Sequence, residues 1–512
     1  LDGLGQPREL TFDPNGNLTA LELVSGSNRF DSMTAVFDGQ DRMVRRLDNA
    51  GNRTAWSYDG VGNVLEVQGP DGYRIGFAYD LANRPYAAFD EQGRVVVTSR
   101  DVLGRPLAVT DPAGASTEYD YHGDAQDGRL ARVRVPAIPG QSSGRAVEFD
   151  YDAGGIPTQT RRVSAGGAAR ASLSFTDALG RIVRSLSESD DQGQRLQTCY
   201  RFDGLSNLTE VWAGSTTDTT STQCNFADSA LKLQQSSTWD DFGNELSRTD
   251  ALGRTWQFRY DYNGNLESSQ TPEQAQAGTR TTYSYDASLR GLLRSRTVPG
   301  STTTGQTVTW TRNPLGQVTR AETKDGSGAT VLAYDYTFDV AHRLASVSDS
   351  RTGRTIVYGW TPGGRLSSIA LGSEPGSPLW RFQYDGTGRL TGIAAPNGQT
   401  VAMSLDAVGR LTEKVWPDGA RSTYAWHPEG SLASVTHAAG SRVLFAQNFG
   451  FDDWGNRSSS TETHDLTAIS RSYTYDARDR LKTETTNGVA RSFGFDVFGN
   501  RTSRTEGSST TN

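Results

Sequence analysis

Nucleophilic or general-base chemistry in this sequence would have to run through five histidines, because a Ser/His/Asp or Cys/His arrangement needs an imidazole. His122, His342, His427, His437 and His464 are scattered along the chain. His342 and His427 fill variable positions of a recurring turn, in Phe338-Asp339-Val340-Ala341-His342-Arg343-Leu344 and Trp426-His427-Pro428-Glu429-Gly430, and read as turn residues. His464-Asp465 is the one adjacent pair, and no nucleophile motif accompanies it. Gly-x-Ser-x-Gly, His-Glu-x-x-His and phosphate-loop patterns are missing. The expected sets of catalytic, cofactor-binding and metal-binding residues are therefore all empty.

The many Asp, Asn and Gly residues invite a calcium reading. Runs such as Asp13-Pro14-Asn15-Gly16-Asn17 do not follow a twelve-residue loop ending in Glu, and a turn explains them without an ion. The ten tryptophans could form a carbohydrate-stacking surface, but Trp239, Trp360 and Trp426 occupy the aromatic position of a repeat and Trp56 the aromatic position before it. Packing between neighbouring rungs is the reading that follows.

That repeat is the element that must position everything else. An aromatic, Asp, two variable residues, Gly, Asn or Arg, and an aliphatic recur in Phe12-Asp13-Pro14-Asn15-Gly16-Asn17-Leu18, Tyr58-Asp59-Gly60-Val61-Gly62-Asn63-Val64, Tyr260-Asp261-Tyr262-Asn263-Gly264-Asn265-Leu266 and Tyr384-Asp385-Gly386-Thr387-Gly388-Arg389-Leu390. Weaker copies begin at Phe37, Tyr79, Thr176, Phe202, Trp239, Tyr285, Phe338, Trp360, Leu405, Trp426, Phe451, Tyr475 and Phe495. Counted generously there are about twenty, mostly 20 to 27 residues apart, a period typical of stacked repeats. Asp bonds backbone groups two residues on, Gly supplies positive φ, and the aliphatic restarts an extended run. A second aromatic two residues earlier, as in Trp56/Tyr58 and Tyr473/Tyr475, puts both rings on one strand face. Midway turn signals such as Gly69-Pro70-Asp71-Gly72 and Trp416-Pro417-Asp418-Gly419 complete a hairpin in each period.

The expected fold is all-β, with more than half of the residues in strands and less than a tenth in helix. It is a hairpin array forming a long spiralling sheet, and residues 1–512 are read as one continuous repeat segment. Some forty strands at about 4.8 Å make a strip on the order of 190 Å long, one coil or slightly more of a ring about 60 Å across. The best helical stretch, Asp228 to Gln235, is too short to stand alone. Ser215 to Thr222 reads as an insertion, and Gly123 to Gly128, Gln270 to Gly278 and Gly300 to Gly305 as loops. Cys199 and Cys224 lie about one period apart, so neighbouring rungs could bring them together; two free thiols are the plainer reading, and both remain open.

Charge narrows the partners. With 51 Lys+Arg against 59 Asp+Glu the net charge is −8, which argues against nucleic acid or an anionic membrane. No apolar run of about 18 residues encodes a membrane span, and Leu1-Asp2-Gly3-Leu4-Gly5 has neither the basic nor the apolar region of a signal peptide. The first and last residues read as cuts through a longer chain.

The Tyr-Asp-x-x-Gly-Arg-Leu series resembles the YD/RHS repeat family, which includes bacterial Rhs polymorphic toxins, the B and C components of insecticidal Tc toxins, and teneurin ectodomains. The resemblance extends from Phe12 to Arg501. It implies a β-strip spiralling into a hollow shell, or cocoon, around a C-terminal toxin of the same polypeptide. Family toxins end the shell with an Asp-Pro-x-Gly-Leu type self-cleavage segment; here Asn313-Pro314-Leu315-Gly316 is a degenerate repeat turn. The leading expectation is a non-enzymatic encapsulation shell, without cofactors, whose partners are its own C-terminal toxin cargo and secretion-system spike or adaptor proteins. On this reading the protein is made in the bacterial cytoplasm and secreted or delivered to a target cell, by type VI secretion, in interbacterial competition. The alternative is a cell-surface adhesion or glycan-binding YD-repeat protein; sparse cysteine and the missing signal segment lean against it.

Overall fold

The computed structural model describes residues 7–511 apart from 26–27, 124–127, 288, 290, 301–304, 373–376, 465–466 and 508. Most of the loops expected at Gly123 to Gly128 and Gly300 to Gly305, and Asp465 of the His464-Asp465 pair, lie outside the described residues. The rest is all-β: one antiparallel sheet of 43 strands. The helix among the described residues has five residues, Pro272–Gln276.

Each period is a hairpin made as the heptad predicts. The strand Arg53–Tyr58 pairs with Val64–Gln68, and the register shifts by one residue between Ser57 and Tyr58. In the turn between them, Asp59 N–H donates to Asn63 O at 2.9 Å and Gly62 N–H to Asp59 O at 3.3 Å. This is a type I turn followed by a glycine bulge, the usual three-residue hairpin loop. The bulge residue needs positive φ, which Gly62 adopts at 102°. Asn313-Pro314-Leu315-Gly316 closes in the same way, with Gly316 N–H donating to Asn313 O at 2.9 Å. Because strands alternate in direction, heptad turns collect on one edge of the sheet and midway turns on the other.

The chain forms two compact units. The first comprises Leu1–Val95, Asn244–Ser247 and Arg254–Ala402; the second comprises Val96–Gly243, Arg248–Gly253 and Met403–Asn512. Few apolar side chains are fully buried in either: Leu23, Ala35, Leu289 and Ala333 in the first, and Ile138, Ala146, Ala165, Leu186, Cys199, Ala213 and Leu231 in the second. Most strand residues are only half-buried, as in a sheet with no continuous packed layer across its faces.

The second unit departs from this where residues 217–231 fold back over the strands Ile182–Leu186, Arg195–Phe202 and Leu208–Thr216. Arg184, 1% exposed, donates from Nε to Gln197 Oε1 at 2.7 Å, from one NH2 group to Asp218 O at 2.9 Å and from the other to Ser221 O. Phe226 meets Trp212 edge-on at 5.7 Å, and Arg201 covers its ring at 3.9 Å. Ala230 O lies where a Cβ at position 214 would be, so only glycine admits the loop.

The structure decides the cysteine pairing and corrects one loop. Cys199 and Cys224 are bonded, with α-carbons 6.1 Å apart, so the free-thiol reading fails. Cys224 reaches its partner from the folded-back loop and not from a neighbouring rung. Asp228 to Gln235, too short to stand alone as a helix, forms none: Leu231 N–H donates to Asp228 O in a turn, and Lys232–Trp239 is a strand paired with Leu208–Thr216. Ladder bonds to an adjacent strand outweigh a helix too short to nucleate. The helix falls instead within the Gln270 to Gly278 loop, where Thr271 and Gln274 make a reciprocal capping box and Pro272 takes the first helical position.

Candidate functional site

The recurrent chemistry of the described residues lies in the turns. Asp38 Oδ1 accepts the backbone N–H groups of Gln40 at 2.9 Å and Arg42 at 3.1 Å, while Oδ2 accepts Arg42 Nε at 2.8 Å. The Arg42 hydrogen bond, with the backbone donors, holds the Asp38 carboxyl below the usual aspartate range against the opposing effect of burial. Arg42 then donates to Asp59 O of the next heptad turn at 2.9 Å, its guanidinium 4.8 Å from the Tyr58 ring. The Tyr58 hydroxyl donates back to Met43 O at 2.6 Å.

The second unit repeats this loop with tryptophan. Arg410 bonds Asp406 Oδ2 at 2.7 Å and His427 O at 2.8 Å, lies 5.9 Å from the Trp426 ring, and Trp426 Nε1–H donates to Leu411 O at 2.8 Å. The aromatic position is therefore a hydrogen-bond donor on a ring, which Tyr and Trp both supply. The expected packing of Trp239, Trp360 and Trp426 between rungs takes this form: each indole N–H donates at 2.8 Å to a carbonyl of the preceding hairpin, Leu208, Leu344 or Leu411. Among the described residues, slot aromatics meet arginines and, in His122–Tyr151 and His427–Phe451, histidines. At two strand spacings, about 10 Å, successive slot rings are too far apart for direct ring-to-ring contact.

A second set of bonds runs across the strip. In the first unit, midway turns of residues 48–94 face heptad turns of residues 338–389. Asn49 Nδ2–H donates to Val340 O at 2.5 Å, and His342 Nε2 lies 3.1 Å from Asp31 Oδ1. Asp71 accepts from Thr361 Oγ1 at 2.9 Å, Gly363 N–H at 2.6 Å and Arg365 at 2.5 Å. Arg94 reaches Thr387 Oγ1 at 2.6 Å.

In the second unit, midway turns of residues 135–194 face heptad turns of residues 452–482. Gln141 donates to Asp452 O at 3.0 Å, Ala165 N–H to Asp453 O at 2.8 Å and Arg145 to Trp454 O at 3.1 Å. The Trp454 ring lies 3.7 Å from the Arg170 guanidinium and shares a cavity of about 290 Å³ with Val133, Val135, Val147 and Val163. Asp479 accepts Arg162 at 2.6 Å and Arg170 at 2.7 Å. Burial alone would raise its pKa, but the bonds from Asn456, Arg162 and Arg170 together hold it below the ordinary value. Arg478 donates to Glu188 O at 3.1 Å and Gln194 O at 2.6 Å, and Lys482 to Asp191 at 2.7 Å. In both units the partners are 284 to 317 residues apart.

The five histidines serve these contacts singly. His342, at φ 63°, takes the glycine position of its turn and faces Asp31 across the strip. His122 Nε2 lies 2.6 Å from Phe149 O, and His464 beside Glu462. His437 Nδ1 lies 2.7 Å from Ser422 Oγ, a serine–histidine contact that sequence spacing does not reveal. Ser422 is buried and also receives the Trp416 indole N–H at 3.1 Å, so its hydroxyl is closed to a substrate. No metal-ligand cluster of three or more His, Cys, Asp or Glu forms among the described residues.

The RHS repeat model matches residues 239–276, and the teneurin YD-shell model matches residues 302–497. The chain is built from YD/RHS repeats. A curated relative, double-stranded DNA deaminase toxin A of Burkholderia cenocepacia (strain H111), is 26% identical over 95% of this chain, which spans about a third (32%) of that protein's length. Similar solved structures include TcdB2–TccC3, at 13% identity over 99% of this chain and 31% of that one with a TM-score of 0.44. Another is the Photorhabdus luminescens Tc holotoxin pore, at 13% identity over 100% and 37% with a TM-score of 0.42. The YD turns thus carry both kinds of bond: the Asp–Arg–aromatic clamp along the strip and the contacts across it.

Proposed function

We propose that residues 1–512 form one continuous YD-repeat stretch of a non-enzymatic shell wall, enclosing and protecting a toxin cargo carried C-terminal to it on the same polypeptide. The observation that carries this reading is the paired edges within each unit. A sheet with so few buried apolar residues gains area by joining midway turns to YD turns across the strip, which suits a wall better than a core. The joined edges also leave fewer unpaired strand ends and turns open to solvent.

The Burkholderia relative's description as a toxin supports a toxin cargo. A non-catalytic role is favoured because every histidine has a structural partner and Ser422 is closed to substrate. Synthesis in a bacterial cytoplasm, delivery to a competing cell by type VI secretion, and recruitment by spike or adaptor proteins belong to the same proposal.

The test uses the natural polypeptide that contains this chain. Its C-terminal tail should resist protease while joined to intact repeats and be digested rapidly when expressed alone, and residues 1–512 alone should leave a susceptible bacterium growing normally. Equal digestion of the tail in both forms, or growth arrest by the repeats, rules out the container.

A further inference from the structure

The covalent bond of the second unit is unevenly guarded. Cys199 is 0% exposed, in the middle of a strand, whereas Cys224 lies half-buried in the loop 217–231 between exposed Gln223 and Asn225. An external thiolate therefore meets the sulfur of Cys224, and displacement at that sulfur makes Cys199 the leaving group. Burial alone makes a cysteine a poor leaving group, because it disfavours the thiolate. Cys199 has a cation beside it.

Arg184 stands directly opposite Cys199 on one neighbouring strand, and Trp212 opposite it on the other. Opposed side chains share one face of the sheet, with β-carbons about 5 Å apart. The buried Arg184 guanidinium donates mainly to neutral oxygens, those of Gln197, Asp218 and Ser221. The carboxylate nearest to it, Asp218 Oδ2, is 3.5 Å away on a side chain that is 40% exposed. Burial pushes the Arg184 pKa down, as it does for a cation with too little counter-charge. Arg201, two residues along from Cys199, is paired with Glu210 at 3.0 Å.

We propose that the Cys199–Cys224 bond is an exchangeable latch for small thiols, with Cys224 as the site of S-thiolation and Arg184 as the group that stabilises the departing Cys199 thiolate. In the first step the thiolate of the small thiol bonds to Cys224 Sγ, the bond between the two cysteine sulfurs breaks, and its electron pair leaves on Cys199. A second small thiolate then displaces Cys224, so that two thiols are oxidised to one disulfide and the latch takes up two electrons. The N–H groups available to the Cys199 thiolate are those that hold Asp218 O and Ser221 O, which couples reduction to release of the loop. This chemistry needs no enclosed cargo.

The test treats oxidised residues 1–512 with millimolar glutathione, alkylates free thiols at intervals and maps both cysteines by mass spectrometry. Glutathione should appear on Cys224 alone, with Cys199 alkylated, and protease cleavage within 217–231 should rise with the adduct. Arg184→Lys keeps the cation and Arg184→Met removes it, while both lose the forked bonds to the loop and loosen it alike. Exchange should be at least about tenfold slower in Arg184→Met than in Arg184→Lys, because a leaving thiol of higher pKa departs more slowly. Glutathione found on Cys199, a bond that exchanges only after denaturation, an adduct that leaves the loop as protected as before, or equal rates in the two Arg184 variants would each overturn the proposal.

Discussion

Two stretches of the second unit carry the same turns and are braced in different ways. Residues 406–480 lean on another part of the strip: Trp454 fills a cavity beside four valines, and Asp479 holds two arginines from the strands Pro157–Val163 and Ala169–Thr176. Residues 177–243 meet that strip at one midway turn, 188–194, have their YD turn tips in solvent and carry a brace of their own, the loop 217–231 tied down by Arg184 and by the Cys199–Cys224 bond. A sheet one layer deep buries too little on its own strands to hold a long stretch rigid. Something must cover it, and this chain uses either a neighbouring strip or an inserted loop.

The largest effect expected from that difference follows removal of the covalent brace. Closing a loop of 25 residues contributes about 3.5 kcal/mol in the chain-entropy account. Reduction, or Cys199→Ala with Cys224→Ala, should therefore open residues 217–231 to protease and raise amide exchange across 195–216 while leaving 452–480 protected. Uniform protection in both stretches after reduction means that Arg184 and the loop packing suffice without the bond.

Next comes the third residue of the YD turn, Trp454 in one stretch and Leu205 in the other. Trp454→Ala should cost about 2 kcal/mol in denaturant unfolding, less than a fully buried tryptophan because the ring is only half-buried. Leu205→Ala, at the same turn position in the other stretch, should fall within about 0.5 kcal/mol of zero, because its side chain is exposed. Equal losses at the two sites would erase the distinction between docked and open turns.

What the sequence makes legible here is local. Asp-x-x-Gly spacing dictates the hairpin turn, and period-two aromatics dictate the strand, so the all-β array follows from residues within about seven positions of one another. The clamp is less visible: the Arg or Asn after Gly reads as a strand opener, and only the structure shows its side chain tied to the Asp carboxylate and to the next turn. Contacts across the strip are invisible, because Asp479 and Arg162 are 317 residues apart and nothing local marks Asp479 for pairing. The loop 217–231 misleads for a similar reason. Its docking depends on Gly214 and Arg184, which lie outside the polar run that marks it as an insertion.

Acid should loosen both stretches, the docked one through the Asp479 bonds across the strip, which the open stretch meets only at its midway turn, through Asp191. The carboxyls of Asp177 and Asp203 are held low chiefly by side-chain bonds from Arg181 and Asn207, within their own turns. Asp479 is also held low, by bonds that cross the strip. A carboxylate with a depressed folded pKa contributes stability that is fully present above its unfolded value, about 3.9, and is lost as pH falls through the folded one. Pepsin cleavage mapped by mass spectrometry should thus be minimal at about pH 5 and appear in both stretches below about pH 4. Asp479→Asn should admit cleavage near 452–480 at the higher pH without changing the YD turns Asp177–Arg181 and Asp203–Asn207. Persistence of the 452–480 contacts at pH 3 would assign them to Trp454 and its valines alone.

The smallest effect is a control that should not distinguish the stretches at all. Tyr475 donates to Arg457 O at 2.9 Å in the docked stretch, and Trp239 Nε1–H donates to Leu208 O at 2.8 Å in the open one. Both bonds run along the strip, from one repeat to the one before, so neither depends on what lies across it. Tyr475→Phe and Trp239→Phe each remove the donor and keep an aromatic ring, leaving a carbonyl without that partner at a cost of about 1 kcal/mol. Trp239→Tyr, which restores a ring-borne donor, should recover part of the loss, because the slot accepts both residues elsewhere. If Tyr475→Phe costs markedly more than Trp239→Phe, the strip's lateral contacts must be tightening the longitudinal clamp. The two bracing systems would then be coupled, and the loss at Trp454 would have to be read as a loss in both.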